Sequence, residues 1–202
     1  MAGFRHPDTF NGVLATMRVI SGVARGHRLK VPEGMRTRPM ADKIKESLFS
    51  VLMSLGVEPS RVLDLYAGSG AVGIEALSRW ADWADFVEQR PDACAVIRDN
   101  LKHTKLDDQA AVHQVSVESF LGRVPSEPYD LVIMDPPYAD PAIIAILERL
   151  GKSALVAPGT IVALGHSPRV QLPPALPPLQ QLKQRCHGDS CFAVYEVLSA
   201  ES

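Results

Sequence analysis

The sequence predicts an open α/β fold built on a parallel sheet, and three stretches carry that prediction. The apolar run Tyr129-Asp130-Leu131-Val132-Ile133-Met134 is short, partly β-branched, uncharged after Asp130 and closed by prolines, as a buried parallel strand is. Residues 61–66 (RVLDLY) form a second such run and pass directly through a glycine-rich turn into a helical pattern. A third run, residues 84–87, ends on Glu88 and is followed by another helical pattern. Strand, turn and helix repeated in this way give parallel strands whose carboxyl ends line up along one edge of the sheet. Ligands bind along that edge.

The totals set the scale. With 202 residues, 46% hydrophobic and 22% charged, the chain buries one good core, so a single domain with a small appendage is expected. No apolar run approaches the ~20 residues that span a bilayer, and residues 1–16 hold no apolar signal-peptide core. Cys94, Cys186 and Cys191 have no metal-ligand spacing, and any disulfide scheme leaves one over. Cys186 and Cys191 could face each other across a hairpin, but reduced core thiols in a cytoplasmic protein are the expectation. The six histidines are scattered without the spacing of a metal site, so no metal is expected.

Charge is distributed unevenly. The net value is −2, yet residues 1–50 hold nine Lys/Arg against four Asp/Glu, and the rest hold twelve against nineteen. A basic head on an acidic body suggests a polyanion-binding face near the N-terminus.

Taken in order, residues 1–16 are unpatterned and read as a flexible tail or an over-called start, with Met17 opening the first patterned segment. Residues 17–31 (MRVISGVARGHRLKV) alternate apolar and polar, with Gly22 and Gly26 as turn points, and predict a β-hairpin. Arg18, Arg25, Arg28 and Lys30 decorate it, and Arg36 and Arg38 follow, against the single acid Glu33. These are edge-strand gatekeepers on one reading and phosphate contacts on the other; a solvated face usually mixes signs, which favours phosphate contact. Pro39 opens a helix with Ile44, Leu48, Val51, Leu52 and Leu55 on one stripe, ended by Gly56; Lys43 and Lys45 project from it.

Asp64 ends the first core strand, and Ala67-Gly68-Ser69-Gly70-Ala71-Val72-Gly73 follows. Glycines there let the backbone approach a ligand, and the next helix offers free N–H groups. Glu88, ending the second strand, is placed to accept from ribose hydroxyls. Gly68-x-Gly70-x-x-Gly73 with Glu88 also satisfies the dinucleotide fingerprint. Asp64 decides between the two, because a carboxylate at that strand end meets a cationic amino group well and a pyrophosphate badly. A third strand at 111–115 leads to Val117-Glu118; Glu118 is either an acceptor for an adenine amine or a helix-start acid.

After the fourth strand comes Asp135-Pro136-Pro137-Tyr138. Two prolines remove two backbone donors, so carbonyls point outward beside a carboxylate and an aromatic ring. That set suits a planar group carrying an amine; the plainer alternative is a strand terminator with Tyr138 capping the core. A helix at 141–150, a fifth strand at 160–164, a rigid Pro-rich crossing at 168–178 and a hairpin around residues 187–190 complete the chain.

Together, Asp64-x-x-x-Gly68-x-Gly70, an acid ending strand two, and Asp135-Pro136-Pro137-Tyr138 resemble a class I S-adenosyl-L-methionine-dependent methyltransferase of exocyclic amines. With Arg18-Val19-Ile20-Ser21-Gly22, Arg38-Pro39, Glu46-Ser47-Leu48-Phe49 and Glu75-Ala76-Leu77-Ser78-Arg79, residues 17–198 resemble the RsmD family of bacterial 16S rRNA guanine-N2 methyltransferases. The resemblance implies a Rossmann-like, seven-stranded, mostly parallel sheet of order 3-2-1-4-5-7-6 with an antiparallel last strand. It divides the chain into a tail (1–16), a basic RNA-binding hairpin (17–38) and a methyltransferase domain (39–202). The implied substrate is a guanine of 16S rRNA in the 30S subunit, by family at position 966, modified by a cytoplasmic monomer.

On that reading Asp135, Pro136 and Tyr138 serve the acceptor amine. Asp64, Ala67, Gly68 and Gly70 hold the methionine end of the cofactor, Glu88 its ribose, and Val117 with Glu118 its adenine. Two departures stand out: Met40 replaces the usual Thr after Arg-Pro, and Gly165-His166 replaces an acid after strand five, which is expected to leave the chemistry untouched. The alternatives are an adenine-N6 DNA methyltransferase, which lacks its usual target-recognition insertion here, and a dinucleotide-dependent oxidoreductase, which lacks an acid–base pair.

Overall fold

The computed structural model describes residues 17–34, 41–137 and 142–199. The tail, Arg36, Arg38, Pro39, Met40 and Tyr138 lie outside the described residues.

Among the described residues, ten strands and five α-helices follow in the order β1 (Met17–Arg18), β2 (Arg28–Leu29), α1 (Ala41–Ser54), β3 (Arg61–Leu65), α2 (Ala71–Arg79), β4 (Trp83–Glu88), α3 (Pro91–Thr104), β5 (Ala110–Gln114), α4 (Val117–Phe120), β6 (Leu131–Met134), α5 (Ile143–Gly151), β7 (Ile161–His166), β8 (Ala175–Leu176), β9 (Leu179–His187) and β10 (Ser190–Val197). The main sheet runs β5-β4-β3-β6-β7-β10-β9-β8. Strands β5 to β7 pair in parallel, and β10 lies antiparallel to both β7 and β9. The sheet therefore holds eight strands where seven were expected. The extra one is β8, two residues of the Pro-rich segment paired to Leu179 and Gln180 at the edge.

Strand alternation builds a core on each face. Val62, Phe86, Ile133, Ala163 and Phe192 face α1, α2 and α3, meeting Phe49, Leu52, Ile74 and Ile97. Leu63, Leu65, Val87, Val132 and Leu164 face α4 and α5, meeting Phe120, Ile146 and Leu147. Asp64 shares the Val62 face, under α2. The sequence order doubles back between β3 and β6, which sets a topological switch point between their carboxyl ends.

The expected N-terminal hairpin is reduced to a two-residue ladder, Met17 to Leu29 and Arg18 to Arg28, closed by tight turns through residues 21–26. So short a ladder is held by the body of the protein. The Ile20 and Ser21 amides donate to Glu75 at 2.8 and 3.0 Å, and Ala24 N–H donates to Ser78 Oγ at 2.9 Å. Gly22 lies so close that a Cβ there would fall 1.6 Å from the Ser78 carbonyl oxygen. Asn100 on α3 accepts from Lys30 N–H and donates to the carbonyls of Lys30 and Ser69, tying the hairpin to the glycine-rich turn.

Cys186 and Cys191 are cross-strand partners in the β9–β10 ladder and form a disulfide, not the reduced pair expected. Register is the reason: the turn at residues 187–190 places the two side chains opposite one another. Cys94 is buried and free. Among the described residues no helix is long and apolar enough to cross a membrane, and no cluster of His, Cys, Asp and Glu could hold a metal.

Candidate active site

A cavity of about 650 Å³ opens at the carboxyl ends of β3, β4, β6 and β7. Its walls come from α1 (Ile44, Lys45, Leu48), the end of β4 (Val87, Glu88), α4 (Val117, Glu118), Asp135-Pro136-Pro137, and β7 and β10 (Ala163, Gly165, Phe192). Of the residues singled out from sequence, it gathers Glu88, Val117, Glu118, Asp135 and Pro136 around one space. Asp64, Ala67, Gly68 and Gly70 do not line it: Asp64 stands on β3, and the other three form the loop between β3 and α2.

That loop is held by two carboxylates. Asp64 Oδ2 accepts from Gly73 N–H at 2.9 Å, and Glu88 Oε2 from Gly68 N–H at 3.0 Å. Gly70, at φ 76°, is the N-cap of α2, a backbone that a side chain would strain. Gly73 is required for space: a Cβ would sit 2.4 Å from the Phe86 ring and 2.9 Å from Asp64 Oδ2. Glu88 Oε1 also accepts from Arg90 N–H at 2.9 Å, so the acid both shapes the loop and faces the cavity.

Three carboxylates converge here. Burial pushes Asp64 up to about 7, with Gly73 N–H pulling the other way and the negative charges of Asp135 and Glu88 adding to the rise. A site with this field favours a cation and repels a pyrophosphate. A sulfonium nucleoside whose amino-acid end is also an ammonium fits the donor set; a dinucleotide does not.

Asp135 follows β6 with an exposed side chain, beside buried Pro136. Gly165 packs against it: a Cβ at that position would fall 2.4 Å from Asp135 Oδ1. A larger residue at Gly165 would have to shift the tip of the Asp135 carboxylate. Tyr138 lies outside the described residues.

Arg18, Arg25, Arg28 and Lys30 are all exposed. Lys30 Nζ pairs with Asp99 at 2.7 Å, and Arg18 Nε lies 4.0 Å from Asp42. Arg25 and Arg28 make no ion pair with a described residue. Sequence reasoning missed Glu75, which is fully buried and accepts from Ile20 and Ser21 N–H, from Arg79 Nε at 2.8 Å and from Lys45 Nζ at 3.0 Å. The available signal was an acid between Ile74 and Ala76 in the apolar part of α2.

The family model described as Conserved hypothetical protein 95 matches residues 17–196. The chain belongs to this family, the RsmD family. Within it, the chain is 32% identical over 182 residues to YlbH of Bacillus subtilis, covering 89% of this chain and 98% of that one. It is 37% identical over 139 residues to the ribosomal RNA small subunit methyltransferase D of Haemophilus influenzae, covering 66% and 72%. Among solved structures, Escherichia coli yhhF superposes with a TM-score of 0.79 at 28% identity, over 92% of this chain and 99% of that one. The fold is that of the solved methyltransferase-family structure, and the curated relatives carry rRNA methyltransferase names.

Proposed function

We propose that this RsmD-family protein transfers a methyl group from S-adenosyl-L-methionine to the exocyclic N2 amine of a guanine in 16S rRNA. The observation that carries the proposal is the placement of Asp135-Pro136 at the switch point, on one cavity with Glu88, Val117 and Glu118. The relatives named as ribosomal RNA small subunit methyltransferases support the rRNA substrate.

When bound, the cofactor supplies an electrophilic methyl group on a sulfonium centre. Asp64, behind the Gly68–Gly70 loop, balances the ammonium of its amino-acid end; Glu88 accepts from the ribose hydroxyls, and Val117 with Glu118 borders the adenine. The guanine 2-amino group is a poor nucleophile because its lone pair is delocalised into the ring. The Asp135 carboxylate and the Pro136 carbonyl accept its two N–H bonds, favour a pyramidal nitrogen and stabilise the positive charge that develops on it. The proton leaves nitrogen after transfer, so no strong general base is needed. Tyr138 stacks on the base and fixes its angle. The base must first leave its stack, which RNA loops allow cheaply. Arg18, Arg25, Arg28, Lys30, Arg36 and Arg38 hold backbone phosphates.

Incubation with methyl-labelled cofactor and 30S subunits lacking the modification tests this reading. Label in the 16S rRNA is expected. Label confined to protein, or acceptance of DNA in preference to the subunit, overturns it.

A further inference from the structure

Ser190 is 5% exposed and lines the cavity, and its hydroxyl makes no hydrogen bond to a described residue. The other buried polar residues among those described all have a partner, as Thr160 Oγ1 donates to the Tyr129 carbonyl and Thr104 Oγ1 to the Asn100 carbonyl. A buried hydroxyl without a partner is costly, and one that faces a cavity is placed to bond what enters it.

The sheet fixes what Ser190 can reach. It opens β10 and shares the face of Phe192 and Val194, the face that meets α1. Phe192 stands opposite Gly165, whose missing side chain leaves the space for the Asp135 carboxylate. Ser190 therefore lies about 7 Å farther along β10 and about 5 Å across from the strand of Gly165. The same side of the cavity carries Ile44, Leu48, Ala163 and Phe192, all apolar. An apolar slot with one polar group at each end takes a flat ring with polar atoms at both ends of one edge. A base edge with a hydrogen bond of about 2.9 Å at each end spans a gap of this size.

We propose that the Ser190 hydroxyl donates a hydrogen bond to O6 of the target guanine and so selects guanine over adenine. This rests on the methyl-transfer reading above, in which Asp135 and Pro136 take the 2-amino group. With that amine seated, O6 stands at the far end of the same Watson–Crick edge, where an unstacked base is read. Adenine seated by its 6-amino group presents C2–H at that place and leaves the hydroxyl unpaired. Ser190 is a base-reading residue and takes no part in the transfer itself.

The test couples a change in the protein to a change in the base. 30S subunits are rebuilt with 16S rRNA carrying 2-aminopurine, which keeps the 2-amino group and lacks O6, at the guanine that the parent methylates. On subunits with guanine, Ser190→Ala is expected to lower kcat/KM about tenfold or more, the value of one contact to a base. On subunits with 2-aminopurine, the variant and the parent should agree within about twofold. Cofactor affinity and melting temperature of the variant should match the parent's, because the hydroxyl holds nothing in the free chain. A variant equal to the parent on guanine overturns the assignment. So does the same loss on both bases, or a loss that comes with a lowered melting temperature, which would make Ser190 a structural residue. A parent that methylates no guanine in the subunit overturns the methyl-transfer reading itself.

Discussion

Gly165 on β7 makes the room in which the Asp135 carboxylate stands: a methyl group at Gly165 would lie 2.4 Å from Asp135 Oδ1 and 3.2 Å from its Cγ. The residue with no side chain thus leaves the space that the carboxylate of Asp135, the proposed acceptor-side group, occupies. Gly165 is not in the left-handed region, so alanine is compatible with its backbone. Gly165→Ala should fold normally and lose turnover by a factor of ~10²–10³, the usual cost of displacing one preorganised partner. Steady-state kinetics on 30S subunits and cofactor titration check this, the second being unchanged.

Removing the carboxylate itself is more severe. Asp135→Ala should abolish measurable turnover while cofactor affinity stays within a few-fold of the parent. Loss of cofactor binding in that variant would show that Asp135 serves the donor and not the acceptor.

Asp64 gives a stability signature. Burial raises it to about 7 in the folded protein, whereas an unfolded carboxyl titrates near ~3.9. Between those values the folded state holds a proton that the unfolded chain has released. Stability therefore falls as pH rises from about 4 to about 7, and the full cost is present above 7. Asp64→Asn removes that slope. Its melting temperature relative to the parent should be more favourable at pH 8 than at pH 5, while its cofactor affinity drops. Equal differences at the two pH values would contradict the assignment.

Glu75 is the buried peg that seats the hairpin. Glu75→Ala strands Lys45 and Arg79 beside two unsatisfied amides and should cost ~3–5 kcal/mol in urea unfolding. Gly22→Ala should unseat the same hairpin more locally, through contact with the Ser78 carbonyl. Its melting temperature should change less than its KM for 30S subunits.

Arg25 and Arg28 are exposed and make no ion pair with a described residue, which leaves both available to phosphates. Arg25→Ala/Arg28→Ala should raise the KM for the subunit and lower the slope of log affinity against log salt by ~0.7 per lost contact. Unchanged cofactor affinity would confine the effect to RNA.

What was legible in the sequence was local. Strands β3, β4 and β6, the glycine-rich turn and the Asp-Pro-Pro stretch announce themselves within a few residues, because period and turn chemistry are short-range. The staples were not legible: Glu75 meets Ile20 across 55 residues of chain and Asn100 meets Lys30 across 70, and no spacing rule reaches that far. Strand β8 is too short to alternate. Gly165 carried no signal because its role is the absence of atoms. Compartment argues for reduced Cys186 and Cys191, while register brings them together in a bond. Lys45 reads from the sequence as a projecting charge; only the packing of α1 on α2 shows that it is buried.

The most direct measurement is nucleoside analysis, by mass spectrometry, of 16S rRNA from unmethylated 30S subunits incubated with this protein and S-adenosylmethionine. The account predicts one new N2-methylguanosine per subunit, absent when Asp135→Ala replaces the parent. N6-methyladenosine in its place, or no new methylated nucleoside although the cofactor binds, would contradict it.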